Sequence, residues 1–225
     1  FIFAIASAVY LMTIEPTASL WDCGEYITAA YKLEVGHPPG APLFMVLGRL
    51  FSFFAAPENV AVYINALSAI SSSLTILFMF WSLTLLIKKI VLKQGETLTG
   101  GNQFAIFSAA SIGALAYTFS DSFWFSAVEG EVYAMASLFT AVIFWAILKW
   151  DEEMEEASHG GRLTELRPNR WLLLIFFLLG LAIGVHLLGI LVVPAMGYML
   201  YFRTQEQVSI KGLLITGLIS IITIG

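Results

Sequence analysis

The chain has 225 residues, 59% of them apolar and 12% charged, with a formal net charge of −5. Soluble domains carry about 25% charged residues, so an ordinary water-soluble fold is excluded and lipid becomes the solvent for the apolar excess. The negative balance excludes a nucleic-acid-binding surface, and the single cysteine, Cys23, excludes an internal disulfide and a Cys/His zinc site.

The expected class is all-α, a polytopic bundle of transmembrane helices. A membrane helix needs about 20 mostly apolar residues. Segments 1–14, 60–87, 104–120, 131–149, 171–188, 189–202 and 210–225 reach or approach that length, giving about seven membrane helices. The chain opens at Phe1 inside one apolar run and stops at Gly225 inside another, so it reads as part of something longer. The fifth and sixth segments read as a hairpin turning near His186 and Gly189.

The polar connections alternate in charge. Loops 88–103, 150–170 and 203–209 carry Lys88, Lys89, Lys93, Arg162, Arg167, Arg170 and Arg203, with Lys149 and Lys211 beside them. That makes nine of the eleven lysines and arginines; the other side has only Lys32 and Arg49. The positive-inside rule puts the basic loops in the cytoplasm and loops 15–59 and 121–130 outside. The acidic run 151–156 (DEEMEE) falls on the basic side and reads as a solvated helix extension.

Loop 15–59 holds the densest chemistry. It keeps Trp21, Tyr26, Tyr31, Leu43, Phe44 and Phe51, which suggests interfacial amphipathic helices over 22–33 and 41–54. GHPPG breaks the chain between them. Asp22 and Glu25, three apart, share a helix face. Converging on a partly dry site, one of them could act as a base toward a hydroxyl; the same spacing equally suits a capping box. GHPPGAP is a rigid corner, and His37 within it is either structural or meets a phosphate or metal.

In the second outer loop Glu129 and Glu131 flank Gly130 where a helix starts. They either favour the helix dipole or line a site, where their oxygens could take a divalent cation. No metal ligand set is assigned, and a divalent cation is left open. His186 (IGVHLLG) lies near the outer surface, bonded within the bundle or lining the same cavity.

TIEPTASLWDCGEYITAAYKLEVGHPPGAPLF followed by EGEVYA resembles the bacterial protein O-mannosyltransferase-like family of membrane proteins, within the GT-C superfamily of polytopic glycosyltransferases. The resemblance spans most of the chain and implies that residues 1–225 are the N-terminal part of a GT-C-like transmembrane domain, the C-terminal remainder lying beyond.

The resemblance also implies a mechanism. A sugar, a hexose such as mannose, passes from a polyprenyl-phosphate donor to a protein Ser/Thr hydroxyl or a glycan on the outer side of the bacterial inner membrane. The catalytic acid lies in the first outer loop, which makes Asp22 the first choice of base, with Glu25 beside it. His37, Arg49 and Lys32 are the groups available to the leaving phosphate, and Glu129, Glu131 and His186 would line the substrate site. Two other readings compete: a non-catalytic subunit of a cell-envelope complex, favoured by solvent-blocked Asp22 and Glu25, and a lipid-linked-sugar transporter, favoured by acids at mid-membrane depth.

Overall fold

A computed structural model describes residues 1–92, 97–160, 166–205 and 207–224. Among the described residues every regular element is helical. Helix α1 (Ile2–Met12) leads through an irregular strap, 13–21, to α2 (Cys23–Lys32) and α3 (Pro42–Ser52). The long α4 (Val60–Val91) follows, then α5 (Gly100–Thr118), α6 (Asp121–Val128) and α7 (Val132–Gly160). Next come α8 (Leu166–Ile183), a short 3-10 turn (Leu187–Val192), α9 (Val193–Thr204) and α10 (Ile210–Ile224).

Among the described residues, three stretches are individually long and apolar enough to cross a membrane: Pro57–Val91, Val132–Glu156 and Leu187–Thr204. A fourth exists if α5 and α6, bent by 65° at their junction, count as one. The apolar helices Ile2–Met12, Pro168–Ile183 and Ile210–Thr223 are shorter. The expected loop 121–130 is thus mostly helix α6, because DSFWFSAV is an apolar helical turn preceded by Ser120. The hairpin between the fifth and sixth segments opens at 184–186, where α8 has ended and His186 caps the 3-10 turn.

The two interfacial segments are helices within a residue or two of expectation. They pack on each other and on α4: a Cβ on Gly48 would lie 2.8 Å from Ala30 Cβ, so only glycine allows this approach of α3 to α2. Tyr26 and Phe44 meet edge to face at 5.6 Å, above a buried layer of Ala30, Ile64, Leu67 and Met135.

Helices α4 and α7 lie side by side, with the Ser68 hydroxyl donating to the Glu131 carbonyl at 3.4 Å. Both begin at the end of the bundle that carries 13–59 and 129–131. Both finish at the basic end, where the charges are not free. Glu152 pairs with Lys88 (2.9 Å) and Lys149 (2.5 Å), Glu153 with Arg170 (2.6 Å), and Glu155 with Arg203 (2.9 Å) and Lys89 (3.3 Å). Asp151, its side chain 6% exposed, sits between Lys89 and Arg203. The expectation of a solvated extension is therefore corrected: 151–156 is the anionic hub that joins the ends of α4, α7, α8 and α9. Lys93, Arg162 and the side chain of Arg167 lie outside the described residues.

Candidate active site

The strap that leads to Asp22 is held from below. The Glu15 amide donates to the Val128 carbonyl (3.0 Å). Asn65 Nδ2, from within α4, donates to the carbonyls of Glu15 (2.7 Å) and Thr17 (3.0 Å). The Ser19 hydroxyl donates to Glu129 Oε2. Trp21 then takes a left-handed backbone (φ 64°), uncommon for a bulky side chain, and turns the chain into α2.

Asp22 occupies the N-cap position with helical backbone (φ −84°, ψ −1°) and makes no side-chain cap bond. A capping aspartate normally has an extended backbone that brings its carboxylate onto the first turn. Here the capping box does not form, because Glu25, its expected partner, is engaged elsewhere.

That engagement is with the GHPPG corner. Helix α2 stops at left-handed Leu33 (φ 54°), and the chain doubles back. Gly36 passes so close to Glu25 that a Cβ there would lie 3.3 Å from Oε1. The His37 amide donates to Glu25 Oε1 (2.6 Å), and His37 Nδ1 lies 3.2 Å from Oε2. The Gly40 amide closes the corner onto the His37 carbonyl (2.8 Å), and α3 starts at Ala41–Pro42. The far nitrogen of the ring, Nε2, points at Asp22 Oδ2, 3.9 Å away. Glu25, His37 and Asp22 thus form a line, with the side chains 43%, 41% and 58% exposed.

Hydrogen bonding from the His37 amide, then from its ring, lowers the Glu25 pKa. Beneath the line lies Glu131, 5% exposed. Burial, then the negative charges of Glu129 and Asp22, push its pKa up to about 7, against a backbone hydrogen bond from Asp22 and the charge of His37. Glu129, 3% exposed, is also raised by burial, partly offset by the Ser19 bond. Tyr26 is pushed up to about 12 by burial and by Asp22 and Glu131, and its ring lies 5.6 Å from that of His37. Among the described residues no lysine or arginine forms an ion pair with Asp22, Glu25, Glu129 or Glu131. Two carboxylates and an imidazole, with donor atoms within 4.8 Å of one another, could hold a divalent cation if His37 released Glu25.

The remaining expected residues divide. Arg49 and Lys32 lie toward the other end of α2. Arg49 donates to the Tyr31 carbonyl (2.6 Å) and lies over the rings of Tyr31 (5.1 Å) and Phe53 (4.7 Å). Six residues of helix, about 9 Å, separate Tyr31 from Glu25. His186 accepts from the Leu188 amide (3.1 Å), with its ring 5.5 Å from Tyr133; burial lowers its pKa. Tyr133 in turn lines a cavity of about 520 Å³ between α4, α7 and the 3-10 turn, with Thr75, Ser82, Leu86, Thr140 and Leu191. Leu43 donates to the Gly184 carbonyl (2.8 Å), tying the start of α3 to the same corner.

Asn65, Ser19, Tyr26 and Tyr133 belong to the site but were not expected there. Asn65 had a visible signal: a carboxamide in the apolar run VAVYINALSAI needs an internal partner. The other three are unremarkable side chains until the chain folds.

Residues 22–209 match the family described as Protein O-mannosyl-transferase TMEM260 N-terminal domain. The Protein O-mannosyl-transferase tmem260 of Dictyostelium discoideum is 30% identical over 147 residues, covering 64% of this chain and 16% of that protein. The Protein O-mannosyl-transferase TMEM260 of Mus musculus is 26% identical over 151 residues, covering 67% of this chain and 19% of that protein. The aligned part is thus less than a fifth of either relative. No solved structure matches.

Proposed function

The chain belongs to the Protein O-mannosyl-transferase TMEM260 N-terminal domain family, and from that membership we propose that it is the membrane-embedded catalytic part of a protein O-mannosyltransferase. The donor is a polyprenyl-phosphate mannose and the acceptor a protein Ser/Thr hydroxyl. Asp22 accepts the hydroxyl proton. The hydroxyl oxygen bonds to the anomeric carbon, the bond from that carbon to the phosphate oxygen breaks, and the polyprenyl phosphate leaves with the electron pair.

One observation carries this reading. Of the two exposed carboxylates in the line, Glu25 is occupied through both oxygens by His37, whereas Asp22 does not cap its helix and, among the described residues, pairs with no lysine or arginine. Glu25 orients the imidazole, His37 faces Asp22, and the carboxylate left for proton transfer is Asp22. The cavity beyond Tyr133 is walled mainly by apolar side chains and suits an isoprenoid tail. Among the groups assigned to the leaving phosphate, His37 is the one in the line itself; Arg49 would have to leave the Tyr31 carbonyl to take part.

The finer topology belongs to the same proposal: a GT-C-like bundle of about seven spans in a bacterial inner membrane, N-terminal to a longer remainder, with the Asp22 face outside. The charge bias supports that sidedness. The competing readings fit less well. Asp22 and Glu25 are open to solvent, unlike those of a vestigial subunit, and α4 and α5 carry no acid and α7 none before Asp151 near its far end, unlike a transporter's midplane.

The test uses purified full-length enzyme in lipid, radiolabelled mannosyl-phosphoryl-polyprenol and Ser/Thr peptides. Asp22→Asn is expected to lower transfer by about 10²- to 10⁴-fold with the fold intact. Full activity in that variant removes Asp22 as the base.

A further inference from the structure

Asn65 is wholly buried, on the second turn of α4, and its side-chain hydrogen bonds run to the irregular strap above it. Its Nδ2 serves two carbonyls of that strap, at Glu15 and Thr17, seven and five residues before Asp22. Two acceptors fix that atom as the nitrogen of the amide. A neutral carboxamide is suited to this place: one nitrogen gives two donors without burying a charge.

The surroundings are shaped for it. Among the described residues Oδ1 has no hydrogen-bond partner, and a Cβ on Gly130 would lie 2.7 Å from it, so Gly130 leaves the room that the amide fills. Glu129 and Glu131 flank that glycine. The first accepts from the Ser19 hydroxyl; the second is close enough to Asp22 for their charges to interact. The strap is therefore gripped at Glu15 and Thr17 from α4 and at Ser19 from Glu129, and Asp22 follows three residues beyond the last of these.

We infer that Asn65 is a positioning residue: from inside α4 it holds the 15–17 backbone and so sets where the Asp22 carboxylate stands against His37. This rests on the reading of Asp22 as base. Small displacements of a reacting group cost rate far more than affinity.

The test is a double-mutant cycle in the full-length enzyme. Asn65→Ala is expected to lower kcat by about 10- to 100-fold, with KM for donor and peptide changed less than about threefold. In an Asp22→Asn background the same substitution should lower the residual rate by less than about threefold, since the group it positions is already gone. An equal fall in both backgrounds, or a loss confined to KM, overturns the inference. If Asn65→Ala does not fold, Asn65→Asp, of the same shape but without the two donors, takes its place in the cycle. Hydrogen exchange supplies an activity-free readout. Protection over 13–22 should fall while that of α7 holds, and unchanged protection also overturns the inference. Unimpaired transfer by Asp22→Asn alone would instead defeat the assignment of the base, whatever Asn65 does.

Discussion

His37 grips Glu25 twice: its backbone amide donates to Oε1 at 2.6 Å, and its ring Nδ1 lies 3.2 Å from Oε2. The carboxylate thus holds a loop and a ring orientation at once. Glu25→Gln keeps one acceptor oxygen for the amide but presents an NH2 to the ring. Transfer should fall by about tenfold, short of the 10²- to 10⁴-fold expected of a lost base. A loss equal to that of Asp22→Asn would make Glu25 the base.

Glu131 gives a pH signature in stability. Its pKa is raised from 4.5 to about 7 in the fold, chiefly by burial. Between those values the folded state holds the proton that the unfolded state has released, so stability falls as pH rises through this window and levels off above it. The full difference corresponds to about 3 kcal/mol. Glu131→Gln should therefore raise the unfolding temperature at pH 8 and leave it nearly unchanged at pH 4.5. Thermal scans in detergent at the two values decide it, and parallel profiles for variant and parent would rule out this role for Glu131.

Gly130 and Gly180 predict opposite outcomes for one chemical change. A Cβ on Gly130 would meet Asn65 Oδ1 at 2.7 Å and Ile27 Cγ1 at 3.1 Å, whereas on Gly180 it meets nothing within 4 Å. Gly130→Ala should cost about 1–3 kcal/mol through overpacking. Gly180→Ala, inside α8, should gain up to about 1 kcal/mol of helix propensity. Unfolding midpoints measured side by side check both signs.

At the opposite end, Asp151 and Glu153 separate buried from exposed pairing. Asp151 is buried between Lys89 and Arg203; Glu153 meets an Arg170 that is 59% exposed. Asp151→Ala removes the buried counterion of Lys89 and Arg203, which keep Glu155 as a shared partner, and should cost about 1.5–3 kcal/mol. Glu153→Ala should cost less than about 1 kcal/mol. Comparable losses for the two would show that the hub does not depend on burial.

Much of this was legible in the sequence, and the boundary has physical causes. Helix type and approximate limits followed from the apolar runs, and the corner at GHPPG followed from proline and glycine geometry. Asp22, Glu25 and His37 could be named, but not ordered: spacing put Asp22 and Glu25 on one face, and only the return of the chain through Gly36 showed which carboxylate His37 takes. Arg49 looked available because few cations share its side; its aromatic and carbonyl partners come from the packing of α3 on α2. The acidic run 151–156 looked solvated because its partners lie on other helices, as far as 66 residues away in the chain.

The pairing of Lys89 with Asp151 has a consequence for how the protein finds its orientation. Lys88 and Lys89 precede Glu152 and Asp151 by 64 and 62 residues. Synthesis runs from the N-terminus, so α4 is laid down while its terminal cations have no counterions from the chain. On the proposed sidedness, the charge bias at the end of α4 is thus present in the nascent polypeptide and largely neutralised in the finished one. Reversing the charges at 151–155 should leave the early helices oriented as before and disturb only the later closure of the bundle.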